Sequence, residues 1–185
     1  GGAIMAYDID WRAQPRQPFR RGFVPYGLDE NRVDEALERR RHLGINVVQD
    51  PAGEDATPLP VESFEELGVL HAWLLEALRN EGLHEPTALQ AQALPIALAG
   101  QSLVAVARPG SGQSAAHVLV AAVQAEDQAP LVAEDPGPVA LALVPTQELA
   151  AQVAAEASRL LALSSRSARH PGGLRCVNVS GGGTR

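Results

Sequence analysis

The segment Ala107-Arg108-Pro109-Gly110-Ser111-Gly112-Gln113-Ser114 stands between a short apolar run and a longer apolar stretch of helical length. Glycines at 110 and 112 let a backbone fold tightly around an anion. Successive N–H groups then point inward, and the helix that follows adds the partial positive charge of its N-terminus. A serine at the first helical turn, Ser114, supplies a hydroxyl suited to Mg²⁺. A phosphate-binding loop of this form calls for lysine where Gln113 stands. Taken alone, an ordinary tight turn is the favoured explanation.

The surrounding elements decide whether the loop is placed to do this chemistry. Leu103–Ala107 is a continuous apolar run, as in a strand buried on both faces, and Val139–Val144 and Arg175–Val179 read the same way. Helices are expected at Asp29–Leu43 with Asp29 as N-cap, at Leu70–Asn80 stopped by Gly82, and from Pro86-Thr87 through Leu98 stopped by Gly100. Two more are expected at Ser114 to about Ala125 and at Glu148–Leu163. In the first of the five, Glu35 and Arg39 are spaced for an i,i+4 ion pair. Strand, loop, helix, strand, helix, strand is the repeat of a parallel α/β sheet. The acids Glu126, Asp127, Glu134 and Asp135 read as a solvated loop.

Residues 1–62 differ. Trp11, Arg12, Arg16, Phe19, Arg20, Arg21, Phe23 and Tyr26 interleave arginine with aromatics, and residues 50–60 read as an extended linker. Such a segment is either an RNA-binding arm or an extension that packs on the core or stays mobile. The division expected is 1–62 as extension and linker, then 63–185 as one incomplete nucleotide-binding domain.

From Trp11 onward the chain resembles the DEAD-box RNA helicases, and within them the Vasa-like branch. The resemblance rests on Trp11, Pro18-Phe19, Ile45-Asn46-Val47 and Pro60-Val61-Glu62-Ser63-Phe64-Glu65-Glu66. Glu85-Pro86-Thr87-Ala88-Leu89-Gln90 is similar to the Q motif of that family, Pro145-Thr146-Gln147-Glu148-Leu149-Ala150 to its PTRELA motif, and Gly181-Gly182 to its paired glycines. The resemblance implies a RecA-like parallel sheet flanked by helices. It implies adenine recognition by Gln90, with Thr87 in the same motif and Phe64 stacking on the base. It also implies phosphate binding by Arg108, Gly110, Ser111, Gly112, Gln113 and Ser114, with Ser114 on Mg²⁺. RNA contacts then fall to Pro145, Thr146, Gln147, Gly181 and Gly182. ATP or ADP with Mg²⁺ is the implied cofactor, and RNA, with proteins of ribonucleoprotein complexes, the implied partner. Each motif also has a plainer explanation: Phe64 as core, Pro145-Thr146 as a helix cap, the terminal glycines as a flexible end. His71, His84, His117 and His170 show no ligand spacing.

The departures from the family pattern concern charge. Gln113 replaces the lysine of the phosphate loop, and Gln147 replaces the arginine of the second motif. Arg108 stands where the family usually has Gln, Ser102 where it has Asp, and Pro109 removes one loop N–H. All 15 basic residues are arginine, and the sequence holds no lysine at all. Compositional drift therefore accounts for the first loss but not for the second. The sequence contains no DEAD tetrad, so no catalytic residue is assigned. Within the family, hydrolysis also needs a second domain with its arginine finger. Two functional readings stand: a fragment of an ATP-dependent RNA helicase with impaired hydrolysis, or an inactive helicase-derived RNA-binding or scaffold module.

Composition agrees with a helix-and-sheet core: 45% of residues are hydrophobic and only 4% aromatic, so short aliphatic side chains dominate. A net charge of −7 leaves no bulk basic field, and any RNA contact must be local. The single cysteine, Cys176, excludes an internal disulfide and points to a reducing compartment. No run approaches the ~18 apolar residues of a membrane span. An intracellular protein of nucleus or cytoplasm is expected. A sheet ending at 175–179 is expected to expose an edge and to limit solubility.

Overall fold

The computed structural model describes residues 20–25, 32–50, 56–130 and 138–180. Trp11, Arg12, Arg16, Pro18, Phe19, Tyr26, Asp29, Glu134, Asp135, Gly181 and Gly182 lie outside them. The helices, in chain order, are α1 (Val33–Leu43), α2 (Ala72–Asn80), α3 (Ala88–Leu98), α4 (Gln113–Asp127) and α5 (Gln147–Leu160). Short 3₁₀ turns stand at Glu65–Leu67 and Ser164–Arg166. Helix α3 packs on α4, α4 on α5, and α2 on α5. Phe64, Trp73, Leu74, Leu78, Leu94, Leu98, Leu119, Val123 and Leu160 fill the space between them.

Four of the five expected helices fall within a few residues of their predicted bounds. Helix α1 is described from Val33, and the cap expected at Asp29 lies outside the described residues. Arg32, the residue before it, has no acceptor side chain to cap the N-terminus, and instead its guanidinium holds Glu35 (2.9 Å). That bond, with Arg39 beside it, keeps the Glu35 carboxyl below its usual pKa. The i,i+4 pair between Glu35 and Arg39 is made at 2.7 Å. Helix α4 runs on to Asp127, so Glu126 is not in a solvated loop. It is buried, and the Ser167 hydroxyl donates to its carboxylate.

No side of helix α3 is fully exposed, and its local chemistry explains how it is held. Thr87 Oγ1 accepts from the Gln90 backbone N–H, while the Gln90 side chain accepts from the Thr87 N–H, a reciprocal capping box. Pro95 lies inside the helix and cannot donate to the carbonyl of Ala91. The orphaned carbonyl is taken by Val61 N–H at 3.0 Å. At the other end of α3, Phe23 N–H donates to the carbonyl of Leu98 at 2.7 Å. The N-terminal segment thus supplies donors that the helix itself lacks.

The expected buried strands are not realised. None of the described residues lies in a hydrogen-bonded strand. Residues 103–107, 139–144 and 175–179 lack regular structure, and Val104, Val106 and Leu143 are 96%, 97% and 86% exposed. A strand buried on both faces needs paired neighbours and helices above and below it. Here the helices pack on one another, and the three runs make no ladder.

The core therefore rests on helix packing. Leu119, fully buried on α4, is expected to lose about 2–5 kcal/mol of stability on substitution by alanine. Urea denaturation of Leu119→Ala against the parent chain measures the loss.

Candidate functional site

The loop after residue 107 closes through a turn that its sequence dictates. Ser111 N–H donates to the carbonyl of Arg108 at 3.2 Å, with Pro109 and Gly110 at the two central positions. Proline presets the first and glycine, at φ +79°, tolerates the left-handed second, as a type II turn requires. Gly112 follows at φ +81° and leads directly into α4. No side chain caps this helix and no acid stands in its first turn. The N–H groups of Gln113, Ser114 and Ala115 there have no intrahelical acceptor. Together with the helix dipole they form an anion-seeking end.

The start of α3 is fastened to this loop. Thr87 Oγ1 donates to the carbonyl of Ser111 at 2.6 Å. Gln90 Nε2 donates to the carbonyl of Gly112 at 3.1 Å, while Gln90 Oε1 accepts from Thr87 N–H at 3.0 Å. Four of the residues singled out in the sequence, Thr87, Gln90, Ser111 and Gly112, therefore form one hydrogen-bonded junction. Gln90 is sealed within it at 0% exposure. Each of its amide groups is used once, leaving one N–H and one oxygen lone pair. Arg108, Gly110 and Gln113 are exposed beside it, and Ser114 is half-buried.

Phe64 is buried in the helical core, 2% exposed. Thr146 caps α5, its Oγ1 accepting from Leu149 N–H at 3.2 Å, and Pro145, Thr146 and Gln147 are exposed. Among the described residues no group of three or more His, Cys, Asp and Glu is placed to hold a metal. Sequence reasoning did not foresee the double engagement of Gln90. The Thr-x-x-Gln spacing signals a capping box, but the contact with the Gly112 carbonyl depends on tertiary placement.

The two loop glycines differ in what constrains them. A Cβ on Gly112 would stand 2.4 Å from Gln90 Nε2, whereas one on Gly110 meets nothing within 4 Å. Gly110→Ala is expected to cost only the left-handed penalty, about 1–2 kcal/mol. Gly112→Ala adds the expulsion of Gln90 and should cost clearly more. Chemical denaturation of the two variants side by side tests the order.

Residues 87–184 match the family model of the DEAD/DEAH box helicases. The chain is 38% identical over 152 residues to the ATP-dependent RNA helicase DBP2 of Mycosarcoma maydis, covering 82% of this chain and 26% of that protein. It is 42% identical over 151 residues to dbp2 of Emericella nidulans, covering 81% and 26%. It is 38% identical over 138 residues to DEAD-box ATP-dependent RNA helicase 20 of Oryza sativa subsp. japonica, covering 75% and 26%. The chain thus spans about a quarter of the length of these curated relatives. The matched region contains the whole junction between α3 and the loop, and the chain belongs to the DEAD/DEAH box helicase family, whose helicase domain is RecA-like.

Proposed function

We propose that this chain is the nucleotide-binding part of a DEAD-box RNA helicase of the Vasa-like branch, with weakened phosphate contacts and impaired hydrolysis. The observation that carries the reading is the junction of Thr87 and Gln90 with Ser111 and Gly112, which joins the base-reading motif to the phosphate loop. The uncapped start of α4 fits an anionic group, and Gly112, having no Cβ, lets Gln90 hold the loop that leads into it. These features fit the phosphates of ATP or ADP. Arg108, Gly110, Ser111, Gly112 and Gln113 would hold them, and Ser114 would ligate Mg²⁺, which when bound supplies charge neutralisation for the phosphates. Gln90 has one donor and one acceptor left for an adenine edge, reached by displacing what covers the side chain. Stacking by Phe64 requires its ring to turn out of the core. RNA contacts are assigned to Pro145, Thr146, Gln147, Gly181 and Gly182. The RNA-helicase names of the relatives support RNA as partner, and nucleus or cytoplasm is the setting that this reading implies. No helix of the described residues is long and apolar enough to cross a membrane.

Gln113 determines how well this works. A neutral amide donates a hydrogen bond about half as strong as a charged one. During phosphoryl transfer, a missing preorganised cation costs ~10²–10³ in rate. The paired neutral residues Gln113 and Gln147 also support a second reading, an inactive RNA-binding or scaffold module derived from a helicase.

Calorimetry with Mg-ADP on the chain and on Gln113→Lys tests the proposal. Both should bind, the variant about tenfold tighter, since about 1.4 kcal/mol separates a charged from a neutral bond of this kind. Binding by neither folded protein overturns nucleotide recognition and leaves the scaffold reading. RNA-stimulated ATPase restored by Gln113→Lys in the full-length protein would instead remove the scaffold reading.

A further inference from the structure

The first two turns of α3 carry two buried glutamines two residues apart. At 100° per residue, Gln90 and Gln92 point to opposite sides of the helix. Gln90 holds the loop at the Gly112 carbonyl. Gln92 holds the N-terminal segment: its Oε1 accepts from Arg40 Nε at 2.9 Å, and its Nε2 donates to the carbonyl of Pro58 at 2.8 Å. Arg40, on α1, is 6% exposed, and Gln92 is 8% exposed. The same guanidinium donates through Nη2 to the carbonyls of Thr57, at 2.7 Å, and Pro58, at 3.1 Å. Its planar fork bridges α3 and the 57–58 backbone, a geometry the point charge of lysine does not reproduce. Next to it, Val61 N–H fills the Ala91 carbonyl that Pro95 left open.

We infer that Arg40 is a positioning residue for the phosphate loop, acting through Gln92 and α3 on the Gln90–Gly112 contact. The start of α3 is gripped from one side by the N-terminal segment and from the other by the loop. The approach of Gln90 to Gly112 is too close to admit even a Cβ, so a small shift of α3 either breaks the 3.1 Å bond or drives the amide into the loop. Buried polar networks of this kind fix geometry when all members are satisfied and lose it together when one is removed. The N-terminal segment thereby sets the shape of the site from the other side of α3.

The inference rests on the nucleotide-binding reading only for its functional consequence, so two measurements are paired. In the ligand-free chain, amide hydrogen exchange follows α3 and the Ala116 N–H, which donates to the Gly112 carbonyl at 3.1 Å. Arg40→Met should accelerate exchange at residues 90–92 and at Ala116 at least tenfold, with the amides of α5 unchanged. Mg-ADP affinity should fall by a similar factor. Arg40→Lys should give an intermediate effect on both, and it answers the question if Arg40→Met does not fold. Faster exchange confined to α1, with Ala116 and affinity unchanged, would show a tether without positioning and overturn the inference. Uniform acceleration that includes α5 would show a general loss of stability and overturn it equally. A parent chain that fails to bind Mg-ADP defeats the nucleotide reading, while exchange at Ala116 still decides the coupling.

Discussion

The carboxamide of Gln90 is engaged at both ends, its oxygen by the N–H of Thr87 and its nitrogen by the carbonyl of Gly112. Buried completely, it has no water to replace either partner, so each bond counts for more than its surface equivalent. Its oxygen closes the capping box that starts α3. Its nitrogen fixes the residue from which α4 departs. Two helices and the loop between them are therefore referenced to one side chain. The absence of a Cβ at 112 is what permits the approach.

The same helix shows how a break in regular structure becomes an attachment point. Pro95 is poor for a helix interior, since it removes a hydrogen bond and leaves a carbonyl unmatched. In α3 that carbonyl is matched from outside, by Val61. The buried fork of Arg40 and the ion pairs of Arg39 with Glu35, Glu62 and Glu66 lie along the same seam. Residues before the regular part of the sequence are in this way tied to the helix that carries Gln90.

Much of this was legible in sequence, for identifiable reasons. Helix bounds followed from apolar spacing and from stop signals: Gly82 and Gly100 both adopt positive φ just past the ends of α2 and α3. The loop was legible from its glycines and its place before an apolar helix. The cap at Thr146 followed from its place before an apolar helix. What sequence did not reveal was tertiary and polar: the second partner of Gln90, the burial of Arg40, the fate of the Ala91 carbonyl. An arginine-rich segment reads as surface, and nothing in its pattern marks which guanidinium is buried. The apolar runs at 104, 106, 141, 143, 177 and 179 carried a strong strand signal, yet these side chains are exposed. Strand propensity describes a surface that fits a sheet and does not supply the neighbours.

The bond from Val61 to Ala91 is written in main-chain atoms on both sides. Its existence does not depend on what side chain occupies position 61, provided that the residue is not proline. A systematic alanine scan would pass over this contact in silence, as would any search for correlated substitutions between the two positions. Position 61 can change its side chain while this one bond to α3 persists. Only chemistry aimed at the backbone, such as replacing the Val61 amide by an ester, addresses that contact directly.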